Sequence, residues 1–149
     1  DLGCKGIVSG ILTKDKNIDV TRTRELIELS KPLEFTFHRA FDEVLKPIDG
    51  LRQLIELKAN RLLTSGQKNT AIKGINLIKK LINFSNNRIK IMPGSGINST
   101  NILEFINLDV DEIHGSFSKD RKSKQSVSSI DEILRCNNLM TDLHKKLKK

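Results

Sequence analysis

The sequence contains no tryptophan and no tyrosine, and six phenylalanines supply its aromatic content. Proteins that bind single-stranded nucleic acid usually stack bases on aromatic rings, so this composition argues against a nucleic-acid partner. No apolar run reaches the roughly 18 residues that cross a bilayer. No basic start followed by an apolar stretch indicates a signal peptide. We therefore expect a protein without a membrane partner.

Cysteine is also scarce. Cys4 and Cys136 stand far apart in the chain and form no C-x-x-C pair. Closely spaced cysteines would indicate a metal site or a redox pair, and an even set in a short secreted chain would indicate disulfides. The two residues are therefore predicted to be free thiols in a reducing compartment, and the residues alone predict no metal site.

Positive charge is concentrated at the C-terminal end. The formal net charge is +8, and residues 119–149 supply +5 of it with nine basic and four acidic residues. A basic segment can contact nucleic acid or another acidic surface, but a solvated face is the favoured interpretation here. The chain is accordingly divided into a globular domain at 1–118 and a basic segment at 119–149, predicted to be a helix that closes the domain.

Short apolar segments typical of buried β-strands recur at a nearly constant interval. They begin near Ile7, Leu33, Arg61, Ile89 and Glu112, with steps of 26, 28, 28 and 23 residues. Each interval holds a strand, a loop, a helix and a return loop. Strands that alternate with helices indicate an α/β fold with a parallel sheet. An open doubly wound sheet would be complete at this length, whereas a closed (β/α)₈ barrel needs about 200 to 250 residues.

Helix-forming segments fill the intervals between the strands. Polar residues that can cap a helix, or a proline that suits its first turn, precede each apolar periodic stretch. The predicted helix starts are Asp19, Pro47, Thr70, Asn98 or Ser99, and Ser129.

Polar and glycine-rich residues follow the strands. In parallel α/β folds the carboxyl ends of the strands open on one face, where sites form. These residues are therefore expected to converge although they are distant in sequence. The candidates are His38, Arg39, Asp42, Ser65, Gly66, Gly94, Ser95, Gly96, His114, Gly115 and Ser116.

His38, Arg39, Asp42 and His114 are the candidate catalytic residues. By alternation along the second strand, the phenylalanines face the helices and His38 faces the other side at the open end. Arg39 offers a charged, planar fork that suits carboxylate or phosphate. Either histidine would act as general acid or base, with Asp42 orienting it. A structural ion pair beside a hydrogen-bonded histidine is the alternative interpretation.

The segment Pro93–Gly96, P-G-S-G, predicts an anion-binding loop. Glycines let backbone N–H groups approach an anion closely, and a helix directly behind the loop would add its N-terminal dipole. Ser65–Gly66 and Gly115–Ser116 would add further donors. An ordinary strand-to-helix turn is the alternative. Together these residues predict an enzyme acting on a small anionic or phosphorylated substrate.

Several motifs resemble, in order and spacing, those of the CutC family of copper homeostasis proteins. The resemblance runs from about residue 1 to residue 118. It implies a (β/α)₈ barrel of the TIM type, of which this chain holds about five βα units, strands four to eight. The motifs are G-I-V-S-G-I-L-T-K-D-K-N-I-D (6–19), T-F-H-R-A-F-D (36–42), L-T-S-G (63–66), I-M-P-G-S-G-I-N (91–98) and E-I-H-G-S (112–116).

The resemblance also implies a function, which is copper handling in the cytoplasm with copper as the bound ion. The cysteine proposed as the copper ligand of the family belongs to the first three strands, which this chain lacks, and Cys4 stands at a usually aliphatic position. Ser95 stands where the family usually has the middle glycine of P-G-G-G. The family's polar pocket maps onto His38, Arg39, Asp42, Ser65, Gly94, Gly96 and His114.

The missing strands also bear on assembly. A partial barrel has open sheet edges, which predict a homo-oligomer that covers them. A non-functional, incomplete chain is the alternative.

Overall fold

The computed structural model of the chain describes residues 3–110, 112–118 and 127–147. Its sheet has four short strands that all pair in parallel, in the order β1-β2-β3-β4. The first four strands predicted from the sequence are therefore confirmed, each within one residue of its start. The strands are β1 (Gly6–Ser9), β2 (Glu34–Phe37), β3 (Arg61–Thr64) and β4 (Lys90–Pro93).

The helices alternate with these strands. As predicted, the Asp19 carboxylate caps the first helix and accepts a hydrogen bond from the backbone N–H of Arg22 at 3.0 Å. Pro47 is the first residue of the second helix, also as predicted. The elements among the described residues are α1 (Val20–Ser30), a short 3₁₀ helix (Arg39–Glu43), α2 (Pro47–Glu56), α3 (Ile75–Ser85), α4 (Ile102–Ile106) and α5 (Ile130–Leu147).

The third helix begins later than predicted. It starts at Ile75 behind Gly74, and Thr70 does not cap it. Gly74 packs so closely on the turn at Gly66 that a Cβ added to either glycine would overlap the backbone of the other segment. This tertiary contact, rather than the capping preference of Thr70, sets the start of α3.

The fifth predicted strand, from Glu112, forms only one parallel bridge in the described part of the chain. The bridge joins Gly94 and His114. Beyond it the backbone turns at Phe117, whose φ is +49°. The ring of Phe117 lies against Gly115, where an added Cβ would come within 2.9 Å of it. In the described residues the predicted fifth strand is therefore present as a single parallel bridge, which this turn follows.

The hydrophobic core lies between the sheet and the helices. Phe35 and Phe37 of β2 have no exposed surface, which confirms their predicted orientation toward the helices. Leu51 and Leu54 of α2 are equally buried and belong to the same cluster. Each such side chain stabilises the fold by roughly 1.5–3 kcal/mol relative to leaving it exposed. The core thus fixes β2 and β3, from whose ends the candidate site is built.

The opposite face of the sheet carries a group of charges that we call the charged layer, Glu34, Arg61, Lys90 and Glu112. Arg61 Nη2 donates to Glu34 at 2.9 Å and to Glu112 at 2.7 Å, and Lys90 lies 3.1 Å from Glu112. The hydrogen bond that Arg61 donates to Glu112 raises the pKa of Arg61, and the same bond lowers the pKa of Glu112. This layer connects three strands and the segment after β4.

The two ends of the sheet differ. At one end β1 is an edge strand, and its residue Val8 is 61% exposed. At the other end α5 packs against α4 and buries Cys136. The helix predicted from Ser129 begins one residue later, whereas the domain division at residues 118 and 119 and the closing role of the helix stay predictions. No helix among the described residues is long and apolar enough to cross a membrane.

Candidate functional site

Arg39, Asp42 and Ser65 form a hydrogen-bonded cluster at the carboxyl ends of β2 and β3, which we call the Arg39 cluster. Arg39 Nε donates to Asp42 Oδ2 at 2.8 Å, and Arg39 Nη2 donates to Ser65 Oγ at 3.1 Å. The 3₁₀ helix after β2 places Arg39 and Asp42 one turn apart, and Ser65 directly follows the neighbouring strand. The structure thus brings three of the predicted residues into contact.

The Asp42 carboxylate organises the turn after β3. It accepts hydrogen bonds from Thr64 Oγ1 at 2.6 Å, Ser65 Oγ at 2.8 Å and the backbone N–H groups of Ser65 and Gln67 at 3.1–3.2 Å. Burial would raise the pKa of Asp42, but the hydrogen bonds from Thr64, Arg39 and Ser65 outweigh it and lower that pKa. An ionised carboxylate with so many donors is a poor proton acceptor. Asp42 therefore positions Arg39 and the turn.

His38 lies next to this cluster in sequence but is held by other groups. Its Nδ1 accepts a hydrogen bond from the backbone N–H of Ala40 at 3.1 Å. Because Nδ1 accepts, a neutral ring carries its proton on Nε2. The ring packs over Gly10, where an added Cβ would lie 2.7 Å from Nδ1. His38 can therefore donate through Nε2, and Ala40 rather than Asp42 orients it.

The glycine loop Gly94–Gly96 is tied to the neighbouring loop. Gly94 N–H donates to Thr64 O at 2.9 Å, and Ser95 Oγ donates to Asn69 O at 2.8 Å. Ser95 has a φ of +84°, in the region that favours glycine. The parallel bridge between Gly94 and His114 joins this loop to the segment after β4. The anion-binding role of Gly94, Ser95 and Gly96 stays a prediction.

A carboxylate of the chain itself occupies the donors that follow this loop. Glu132 of α5 accepts hydrogen bonds from Ser99 N–H at 2.7 Å and Ser99 Oγ at 3.1 Å. The next helix begins only at Ile102 and has five residues. The helix expected directly behind the glycine loop, with its N-terminal dipole, is therefore not found there.

His114, Gly115 and Ser116 lie beside the glycine loop. The bridge to Gly94 sets the position of His114, whose side chain is exposed, and Ser116 O accepts a hydrogen bond from Ser128 Oγ at 2.7 Å. The hydrogen bond from Gly94 N–H to Thr64 O connects the segment His114–Ser116, through Gly94, to the end of β3 beside the Arg39 cluster. The catalytic role of His114 and the anion-binding role of Gly115 and Ser116 stay predictions.

Sequence reasoning missed two residues of the site, Thr64 and Gln67. Thr64 lies two residues after Leu62 and so shares its side of β3, and its hydroxyl donates to Asp42 Oδ1 at 2.6 Å. Gln67 has a φ of +59° and donates its Nε2 to Val44 O. A polar residue at the end of a buried strand was the one signal in the sequence that pointed to Thr64.

The described residues contain no group of three or more His, Cys, Asp or Glu side chains that could hold a metal ion. Cys4 and Cys136 are free thiols, the first exposed and the second buried. Burial raises the pKa of the Cys136 thiol, and the nearby Glu132 charge acts in the same direction. Cu(I) prefers thiolate ligands, so this part of the chain does not fit a copper centre.

Comparison with known proteins identifies close relatives. The CutC family profile matches residues 1–119. A family protein CutC from Histophilus somni is 44% identical over 129 residues, which are 86% of this chain and 53% of that protein. Another from Parabacteroides distasonis is 52% identical over 102 residues, which are 68% of this chain and 42% of that protein. The chain spans about half the length of the curated relatives it matches.

A solved structure resembles this fold. It is the crystal structure of a CutC protein from Streptococcus agalactiae, and its title assigns that protein to copper homeostasis as a proposal. The TM-score is 0.71 at 34% identity, and the match covers 76% of this chain and 57% of that chain. With the parallel sheet, this likeness confirms the predicted α/β fold of the (β/α)₈ TIM-barrel type, of which this chain forms part.

Proposed function

Because the chain belongs to the CutC family, we propose that it serves copper homeostasis in the cytoplasm. The family match over residues 1–119 carries this proposal, and the name of the Streptococcus agalactiae relative supports it. In this proposal copper is the ion that is handled and not a resident cofactor of the described residues. The described residues supply hydroxyl, amide and guanidinium groups rather than a set of metal ligands. We therefore assign to this part of the chain a site for a small polar ligand.

A strain that lacks the gene tests the cellular role. We expect the deletion to change copper tolerance and cellular copper content, and the wild-type gene to restore both. The double variant Cys4→Ser, Cys136→Ser should restore them as well, because neither thiol belongs to a metal-binding group of the described residues. Unchanged copper tolerance and content in the deletion strain would show that the proposal is wrong.

A second candidate is an enzyme that acts on a small anionic or phosphorylated substrate, and the fixed guanidinium of Arg39 favours it. The Arg39 side chain is 44% exposed while Asp42 and Ser65 hold two of its nitrogens. A guanidinium that is already held loses little conformational freedom when it binds a ligand. His38 would donate a hydrogen bond to the substrate through Nε2, and His114 is the remaining acid–base candidate.

Ligand-linked stabilisation tests the anion site. Acetate, phosphate or sulfate, compared with chloride at equal ionic strength, should raise the melting temperature in proportion to the logarithm of its concentration once the site is saturated. Arg39→Ala should abolish the shift. Arg52→Ala is the matched control, because Arg52 forms an exposed pair of the same i,i+3 spacing with Asp49. No shift with any of these anions would refute the anion site.

A further inference from the structure

We infer that the Arg39 cluster selects a monoanionic carboxylate over a phosphate dianion. The inference rests on the proposed anion site and names the class of ligand that this site takes. Two features of the structure carry it. One is the edge of the guanidinium that remains open, and the other is the use of neighbouring donors by groups of the chain itself.

The guanidinium of Arg39 has one occupied edge and one open edge. Nε and one N–H of Nη2 form the first edge, and they donate to Asp42 Oδ2 at 2.8 Å and to Ser65 Oγ at 3.1 Å. The second edge consists of Nη1 and the other N–H of Nη2, which have no acceptor in the described part of the chain. Two parallel N–H groups match the two oxygens of a planar carboxylate.

A phosphate dianion would need more donors than this edge supplies, and several nearby amides are already bonded. Gly94 N–H donates to Thr64 O at 2.9 Å, and Gly66 N–H donates to Thr64 Oγ1 at 2.9 Å. Ser99 N–H donates to the Glu132 carboxylate at 2.7 Å. Loops that cradle phosphate keep such amides directed at the ligand. Here they hold the loops to each other and to α5.

Asp42 also limits the charge that a ligand can carry. Its carboxylate lies 2.8 Å from Arg39 Nε, and its lowered pKa keeps it ionised at neutral pH. The Arg39 cluster is therefore neutral as a whole and contains no second Lys or Arg. The first negative charge of a ligand can lie against the open edge of the guanidinium, whereas each further charge adds repulsion from Asp42 and meets no other cation in the cluster.

Binding of acetate and of inorganic phosphate to the full 149-residue chain tests this selectivity. At pH 8 and constant ionic strength, titrations would follow the ¹⁵N resonance of Arg39 Nε and the amide of Gly96. We expect acetate to bind about tenfold or more tightly than phosphate, and Arg39→Ala to remove the acetate response. Asp42→Asn should reduce the discrimination, and Asp49→Asn, which changes an exposed pair elsewhere, should leave it unchanged.

The outcomes separate this inference from the proposal beneath it. A melting curve of each variant first verifies that it is folded. Phosphate that binds as tightly as acetate, in a manner that depends on Arg39, would overturn the carboxylate selectivity and leave the anion site in place. Absence of any binding that depends on Arg39 would overturn both.

Discussion

Asp42 determines the geometry of the candidate site through its hydrogen bonds to Arg39 and to the turn after β3. Asp42→Asn keeps the size of the side chain but turns one acceptor into a donor, which then faces either the hydroxyl of Thr64 or the donors of Arg39 and Ser65. We expect a loss of about 1–3 kcal/mol in the free energy of unfolding, measured with urea at pH 7. Asp49→Asn, in an exposed pair, should cost less than about 1 kcal/mol. Equal losses in the two variants would contradict this role.

The same carboxylate gives stability a defined pH dependence. Because the pKa of folded Asp42 is lowered, its contribution is fully present above the unfolded pKa and is lost as the pH falls through the folded pKa. The difference in unfolding free energy between wild type and Asp42→Asn should therefore be constant near neutrality and shrink below about pH 4. Urea unfolding curves between pH 7 and pH 3 would measure it. A difference that does not change over this range would rule out the linkage.

Ser95 combines an unfavourable backbone conformation with a useful side chain. Its φ of +84° favours glycine, whereas its Oγ donates to Asn69 O at 2.8 Å. Ser95→Ala keeps the backbone cost and loses the hydrogen bond, so it should destabilise the chain by about 1 kcal/mol. Ser95→Gly loses the bond but relieves the backbone, so it should be more stable than Ser95→Ala by about 1 kcal/mol. Thermal unfolding of both variants would check the order, and an alanine variant as stable as the glycine variant would contradict it.

Among the elements, α5 is joined to the loop before α4 by one carboxylate. Glu132→Ala removes the acceptor of Ser99 N–H and Oγ, so we expect a loss of about 1–2 kcal/mol. Amide hydrogen exchange at Ser99 should speed up in this variant, because the bond that protects it is gone. Glu25→Ala, at an exposed position of α1, is the matched control and should leave that amide unchanged. Equal exchange in Glu132→Ala and wild type would show that the bond does not hold the loop.

The elements that the sequence predicted well are those determined by local chemistry. Asp19 and Pro47 mark helix starts because a cap and a fixed φ act within one turn. The start of α3 was not predictable in this way, because it depends on the contact between Gly66 and Gly74. The Arg39 cluster followed from the rule that strand ends converge, but the contact of Glu132 with Ser99 joins residues 33 positions apart and has no local pattern.

At the scale of the whole molecule, the charged layer connects the strands on the face opposite the core. Arg61 is 13% exposed, and Arg61→Met would leave Glu34 and Glu112 without their shared partner. We expect a loss of about 2–4 kcal/mol in the free energy of unfolding, measured at pH 7.

The loss of unfolding free energy in Arg61→Met should become smaller at acid pH. The pKa of Glu112 is lowered in the folded chain, so the contribution of its ionised form is present above the unfolded pKa and is lost as the pH falls through the folded one. The gap between wild type and Arg61→Met should therefore shrink at acid pH. Arg88→Ala, outside the layer, would serve as a control, and a comparable loss there would remove the special role of Arg61.

The predicted homo-oligomer stays a prediction, which light scattering on the chain would check. The surface to examine first is the edge of β1, where Ile7 and Val8 are 40% and 61% exposed. An unpaired parallel edge with apolar side chains is a template for strand addition.

The order of the strands in the sheet is the same as their order in the chain. Every pairing is therefore made with the preceding or following βα unit, and no connection crosses over another strand. At the β1 edge a sheet of this kind can accept a further unit without moving an existing one. This chain matches about half the length of its relatives. Because each strand pairs only with its neighbours along the chain, the length of the chain sets the number of units in the sheet.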